Sequence, residues 1–148
     1  MRKLLVFLGV AWIATNLLGA WVSVSNHRAY DLKFVDQAGL EGRIDEDWLH
    51  GWGTGLAMPL WVLAVAAVLT VLVSFGGGVG KVAAFLMMIV GGLSVAFTLS
   101  NQLTYDRLQA TEVDRTETAI IVASLGLAVL IVLFGFLTVI TTPSTSRR

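Results

Sequence analysis

The sequence predicts an all-α membrane protein: a four-transmembrane-helix bundle with a small extracytoplasmic loop of β-hairpin character between helices 1 and 2. Three observations carry that expectation. Uncharged stretches at 4–26, 51–80, 82–105 and 118–146 divide the chain, and nearly every charge falls between them or at the ends. Each holds about 20 apolar residues, enough helix to cross roughly 30 Å of hydrocarbon at about 1.5 Å per residue. Charged residues make up only 14% of the 148-residue chain and hydrophobic ones 56%, against about 25% charged in a soluble domain. A chain of this length with four spans has no room for a separate soluble catalytic domain, so 1–148 reads as a single integral membrane domain.

Helix 1 is expected at about 4–25. Arg2 and Lys3 followed by an apolar run imitate a secretory signal, but residues 4–24 are 21 uncharged positions, longer than the roughly 7–15 of a signal core. A retained span is therefore expected. Ala11, Thr15, Gly19 and Ser23 recur every four positions and share one face, the pattern that lets helix backbones approach closely. Asn16 is the strongly polar residue near the midplane. An interhelical hydrogen bond worth about 1 kcal/mol is its default role, with a substrate contact as the alternative.

Residues 26–50 form the larger outer loop. Tyr30 to Phe34 alternate apolar and polar, the period of a half-buried strand. Gln37-Ala38-Gly39 offers a turn, and Leu40 to Ile44 could return as a second strand. A lone hairpin is marginal in water, so it would rest on the bundle or on a partner. The acids Asp45, Glu46 and Asp47 suit the positive end of a helix dipole and place the start of span 2 nearby.

Helix 2 is expected at about 51–75, with Pro59 near its start, and helix 3 at 81–105. The glycine-rich link between them, Gly76 to Lys81, is a tight turn that makes them antiparallel neighbours. Small residues again recur every four positions at Ala66, Thr70 and Ser74, and at Gly92, Ala96 and Ser100. A short outer loop at 106–111 leads to helix 4 at 112–141. Thr111-Glu112-Val113-Asp114 fits a capping box that starts this helix about two turns outside the bilayer, and Pro143 follows its end.

Charge gives the orientation. Arg2, Lys3, Lys81, Arg147 and Arg148 lie on one side with no acid. Arg28, Lys33, Arg43, Arg107 and Arg115 share the other with all ten acids, a balance of +5 against −5. The basic residues of the first side sit at span ends, where the positive-inside rule acts, so both termini are expected in the cytoplasm. Trp21, Trp48, Trp52 and Tyr105 fall at the outer span ends and form an interfacial belt. Trp12 and Trp61, nine residues further in, are expected near mid-membrane, packed against neighbouring helices.

Chemistry is sparse. The chain has no Cys, which excludes disulfides and thiolate ligands. No ionisable residue lies at mid-depth in any span, which argues against proton pumping or ion carriage. His27 and His50 flank the larger loop, and Glu46 would share a helix face with His50; a metal or haem iron is the sharper reading of these residues. Solvated or capping roles are favoured, because the spacing matches no recognised ligand set. No cofactor, metal or nucleic-acid partner is predicted, and no nucleophile–base pair or phosphate loop appears.

The layout of inside termini, a longer first outer loop with strand character, a tight inner turn and a shorter second outer loop resembles the claudin-type tetraspan arrangement over most of the chain. The resemblance is one of architecture. Claudins carry Gly-Leu-Trp and two Cys in the first loop, and Trp21 is followed by neither. The expected role is a non-enzymatic accessory or assembly subunit, or a self-associating scaffold, in a plasma (inner) membrane. Its partners would be membrane lipid and other membrane subunits or copies of itself. An oligomeric small-solute channel or exporter is the alternative, and a cofactor-binding subunit using His27 and His50 the third reading.

Overall fold

Apolar runs too long for a soluble core set the architecture. The computed structural model describes residues 1–28, 44–101, 103–104 and 114–141, without the side chains of Asp47 and His50. Five helices have both ends among them: α1 (Arg2–Ser25), α2 (Ile44–His50), α3 (Leu60–Phe75), α4 (Gly77–Ser100) and α5 (Arg115–Thr141). Three of these, α1, α4 and α5, are long and apolar enough to cross a membrane; α3, with 16 residues, is apolar but shorter. No strand occurs among the described residues. The exposed faces carry Phe7, Val10, Val68, Phe75, Phe85 and Phe136, a surface that suits hydrocarbon rather than water. The chain is built as an integral membrane protein.

α3 packs on α1 and α4, and α5 packs on α4 and α1, so the four long helices close a ring around one core. Trp12, Leu5, Leu63, Ala66, Met87 and Ile131 fill it. α4 and α5 approach through small residues: a Cβ placed on Gly91 would lie 3.0 Å from the Ala128 carbonyl oxygen, and one on Gly135 3.1 Å from that of Ala84. α1 and α3 meet at Gly9, where a Cβ would reach to 2.5 Å of Thr70 Oγ1.

The boundaries differ from expectation in four places. Helix 2 does not run from 51 to 75. Residues 51–59 are not helical, because Gly53 takes φ +103° and Pro59 stands extended as the cap of α3. The acids at 45–47 belong instead to the short helix α2, and Ile44, expected in a strand, is its first residue. The tight turn is confined to Gly76 and Gly77, both at positive φ, while Gly78 to Lys81 already form the first turns of α4. At the far end α4 stops at Ser100 and Asn101 is extended. α5 starts at Arg115 rather than 112, since Asp114 Oδ1 accepts from the backbone N–H groups of Thr116 (2.9 Å) and Glu117 (3.2 Å) and so caps it. The rest of the expected hairpin, the loop at 106–111, Tyr105, residues 111–113 and Pro143 lie outside the described residues.

Candidate functional site

Residues 53–59 are all buried, although they form no helix. Irregular backbone at membrane depth needs partners from the protein, because hydrocarbon supplies none. Five consecutive N–H groups find them. Thr54 N–H donates to the Ala57 carbonyl (2.9 Å), and Ala57 N–H returns to Thr54 Oγ1 (3.1 Å), closing a small turn. Gly55 N–H donates to the Arg28 carbonyl (3.0 Å), Leu56 N–H to Ser23 Oγ (3.2 Å) and Met58 N–H to Asn16 Oδ1 (3.0 Å). The Gly55 carbonyl in turn accepts from Asn101 Nδ2 (2.9 Å) at the end of α4.

One face of α1 makes this possible. Asn16 and Ser23 lie two turns apart on that face with Gly19 between them, and a Cβ on Gly19 would sit 2.5 Å from the Leu56 carbonyl oxygen. Gly19 and Ser23, half of the predicted small-residue stripe, thus receive the irregular segment. Thr15 and Ala11, the other half, are only half-buried. Asn16 also donates to the Trp12 carbonyl (3.0 Å) and to Ser124 Oγ on α5 (3.3 Å). All of its amide serves as a joint between three parts of the chain.

A small cavity of about 20 Å³ lies beside the segment, lined by Asn16, Thr54, Thr98, Asn101, Thr104 and Ser124 among others. That is room for about one water molecule. Thr104 Oγ1 is buried there without a hydrogen-bond partner among the described residues. A second, almost wholly apolar groove of about 190 Å³ opens between α3 and α4, with Trp61, Val65, Val90 and Leu93 on its walls. The two share Trp52, Met58 and Phe97. Trp52 and Phe97 stack there, with ring centroids 6.5 Å apart.

The sequence pattern misses a half-buried ion pair at the same end of the bundle. Glu117, counted among the loop acids, is wholly buried, and its Oε1 accepts from Arg28 Nε at 2.9 Å and Asn26 Nδ2 at 3.3 Å. Arg28 is brought there by the end of α1. His27 takes φ +56°, Arg28 N–H reaches back to the Ser23 carbonyl (2.8 Å) and His27 N–H to that of Val24 (3.4 Å). This is the Schellman arrangement, usually made by glycine. The available signal is the pair Asp114 and Glu117, three apart at the start of an apolar run, which marks the true first turn of α5.

The other predicted site residues scatter. His27 is exposed, terminates α1 and has Nδ1 3.2 Å from the Val24 carbonyl oxygen. Glu46 is exposed on α2, and the His50 side chain lies outside the described residues. Among the described residues no three His, Asp or Glu gather closely enough to hold a metal. Gly92 and Ala96 face away from the bundle, and Ser100 is half-buried with Oγ donating to the Phe97 carbonyl at 3.0 Å; the core-facing small residues of α4 are Gly80, Ala83, Ala84, Gly91 and Ser94. Trp21 and Trp52 are exposed, whereas Trp48 is half-buried against the core. Trp12 is wholly buried, as a core residue, but Trp61 is exposed near the start of α3.

Comparison with protein-family models, curated proteins and solved structures gives no match. The class is therefore set by the chain itself, an all-helical integral membrane protein with a polar-pinned irregular segment at one end.

Proposed function

We propose that this protein is a non-enzymatic, polytopic membrane subunit that assembles with other membrane proteins or with copies of itself. In this reading it crosses the membrane four times. α3 extends over about 24 Å at 1.5 Å per residue, and residues 51–59 supply the remaining depth of the second pass. The positive-inside balance argues for the termini and the Gly76 turn in the cytoplasm and the pinned segment in the outer half of a plasma (inner) membrane.

One observation carries the assembly role. α4 uses Gly91 to approach its own bundle and turns Gly92 and Ala96 outward, with nothing within 4 Å of a Cβ on Gly92 among the described residues. Small residues on a lipid-facing helix allow a second helix to come close, and close approach drives association where lipid tails compete for every apolar contact. The chain has no Cys, so single substitutions Gly92→Cys and Ala96→Cys report cleanly. Oxidative or bismaleimide cross-linking in native membranes should give an adduct from these positions and none from Val68→Cys on the exposed face of α3. Equal or absent cross-linking at all three positions would defeat the proposal. Labelling of Ser25→Cys, but not Gly78→Cys, by an impermeant maleimide on intact cells tests the orientation.

A further inference from the structure

The end of the bundle opposite the pinned segment carries a patch of cations and no acid among the described residues. We propose that this patch, formed by Arg2, Lys3 and Lys81 around the turn at Gly76 to Gly78, holds the phosphate of an anionic glycerophospholipid. Arg2 and Lys3 open α1, and Lys81 lies about one turn into α4. Arg2 joins the two helix starts, because its guanidinium lies against Gly76, the cap of α4. Arg2 and Lys3 are exposed, Lys81 is half-buried, and a Cβ on Gly77 or Gly78 would meet nothing within 4 Å. The patch is therefore open to a ligand. No acidic residue occurs in 1–30, 51–105 or 118–148, so none of the long helices brings one to this end.

Charge complementarity carries the assignment, and helix stability does not account for the cations. The N-terminal end of a helix is electropositive and favours anions. α1 and α4 nevertheless begin with no acid in the first turn and no side-chain cap, whereas α5 at the other end has Asp114 as its cap and Glu117 in its first turn. Exposed apolar side chains beside the cations make the anion a lipid. Leu4 and Phe7 follow Lys3 on α1, Phe75 precedes the turn, and Val79 and Val82 flank Lys81, all of them exposed. Lys and Arg at such a boundary lay their stems on hydrocarbon and keep their charge at headgroup level, and a juxtamembrane group of them attracts anionic lipid. A soluble phosphate meets the charges alone. A glycerophospholipid meets the charges with its phosphate and the apolar residues with its acyl chains. The patch is separate from the Gly92 and Ala96 face, so it stands independently of the assembly role.

Fluorescence quenching in bilayers of defined composition tests this. The chain has no Cys, so a fluorophore on Val79→Cys reports the lipid beside the patch and one on Val24→Cys reports the opposite end of the bundle. The full chain is reconstituted in phosphatidylcholine, and brominated phosphatidylglycerol or brominated phosphatidylcholine is titrated in as the quencher. Phosphatidylglycerol should be preferred by about tenfold or more at Val79, as two or three cations at a membrane surface imply, and should not be preferred at Val24. Arg2→Gln and Lys3→Gln should each lower the preference about fivefold, the worth of one cation at an anionic surface, whereas Arg2→Lys should keep it. Comparing the lipids beside Val79 with the charges intact gives a reading that does not depend on how the charge variants fold. Equal affinity for the lipids at Val79, the same preference at Val24, or indifference to Arg2→Gln would each overturn the assignment. So would loss of the preference on adding inorganic phosphate at constant ionic strength, which would give the patch to a soluble anion.

Discussion

The second apolar stretch is interrupted at both of its ends, and the two interruptions are made by opposite means. At Gly76 and Gly77 the chain reverses through two residues at φ +75° and +58°, with the Arg2 guanidinium lying where a Gly76 Cβ would stand. The hydrogen bonds are local: Gly80 N–H donates to the Gly76 carbonyl at 2.8 Å. At residues 51–59 the backbone leaves the helix while buried, and α1, Arg28 and Asn101 supply partners from distant positions. A turn made of glycine is encoded where it occurs. A break pinned by side chains is encoded elsewhere in the chain.

That contrast predicts where substitutions will act. The largest effect is expected from Asn16→Leu, which strands the Met58 N–H in the interior and removes the link to Ser124. A loss of about 2–4 kcal/mol follows from an unsatisfied buried donor plus a misfitted side chain, well above the roughly 0.6 kcal/mol of an average interhelical hydrogen bond. Reversible unfolding in mixed micelles measures it. Wild-type stability in this variant would show that the segment is not pinned.

Gly19→Ala comes next, at about 1–3 kcal/mol, because its Cβ meets a backbone carbonyl that cannot swing aside. The same unfolding measurement applies, and a neutral result would place the segment further from α1. Glu117→Gln keeps the shape and removes the charge. Arg28 is 40% exposed, so solvent takes up much of the loss; about 1 kcal/mol is expected, nearer a surface pair than a buried one. A double-mutant cycle with Arg28→Met should recover most of it as coupling energy. Gly77→Ala tests the other interruption. Its Cβ has open space, and the positive φ alone should cost about 1 kcal/mol.

These sites differ in how far the sequence discloses them. Uncharged length is enough to show α1, α4 and α5, because hydrocarbon thickness imposes a single rule on all of them. The glycine turn is legible for the same reason that it is robust: its determinants are adjacent. The break at 51–59 lies within an uncharged stretch of unremarkable hydropathy, and Gly51, Gly53, Gly55 and Pro59 read as tolerable within a span. Their meaning depends on Asn16 and Ser23, which are 42 and 33 residues from their backbone partners. Glu117 was hidden similarly. One residue outside a span, an acid looks solvated until the end of α1 brings Arg28 over it. On α4 the residue that packs on α5 is Gly91, next to Gly92 of the small-residue stripe, and one position on a helix is about 100° of rotation.

The smallest expected effect separates the two faces of α4 most sharply. Gly91→Ala and Gly92→Ala make the same chemical change one residue apart. At Gly91 the new methyl lies 3.0 Å from the Ala128 carbonyl and 3.1 Å from Ile131 Cγ2, so α5 must give way by a few tenths of an ångström. At Gly92 it enters open space, and the better helix propensity of alanine should leave the isolated chain unchanged or more stable by up to about 1 kcal/mol. In detergent, where the chain is alone, Gly91→Ala should therefore be the destabilising one. In native membranes the order reverses for assembly. If a second helix lies against Gly92, the added methyl weakens that contact, and cross-linking from Ala96→Cys should fall in Gly92→Ala but persist in Gly91→Ala. A face that meets only lipid would give no such reversal, since acyl chains accommodate one more methyl without cost.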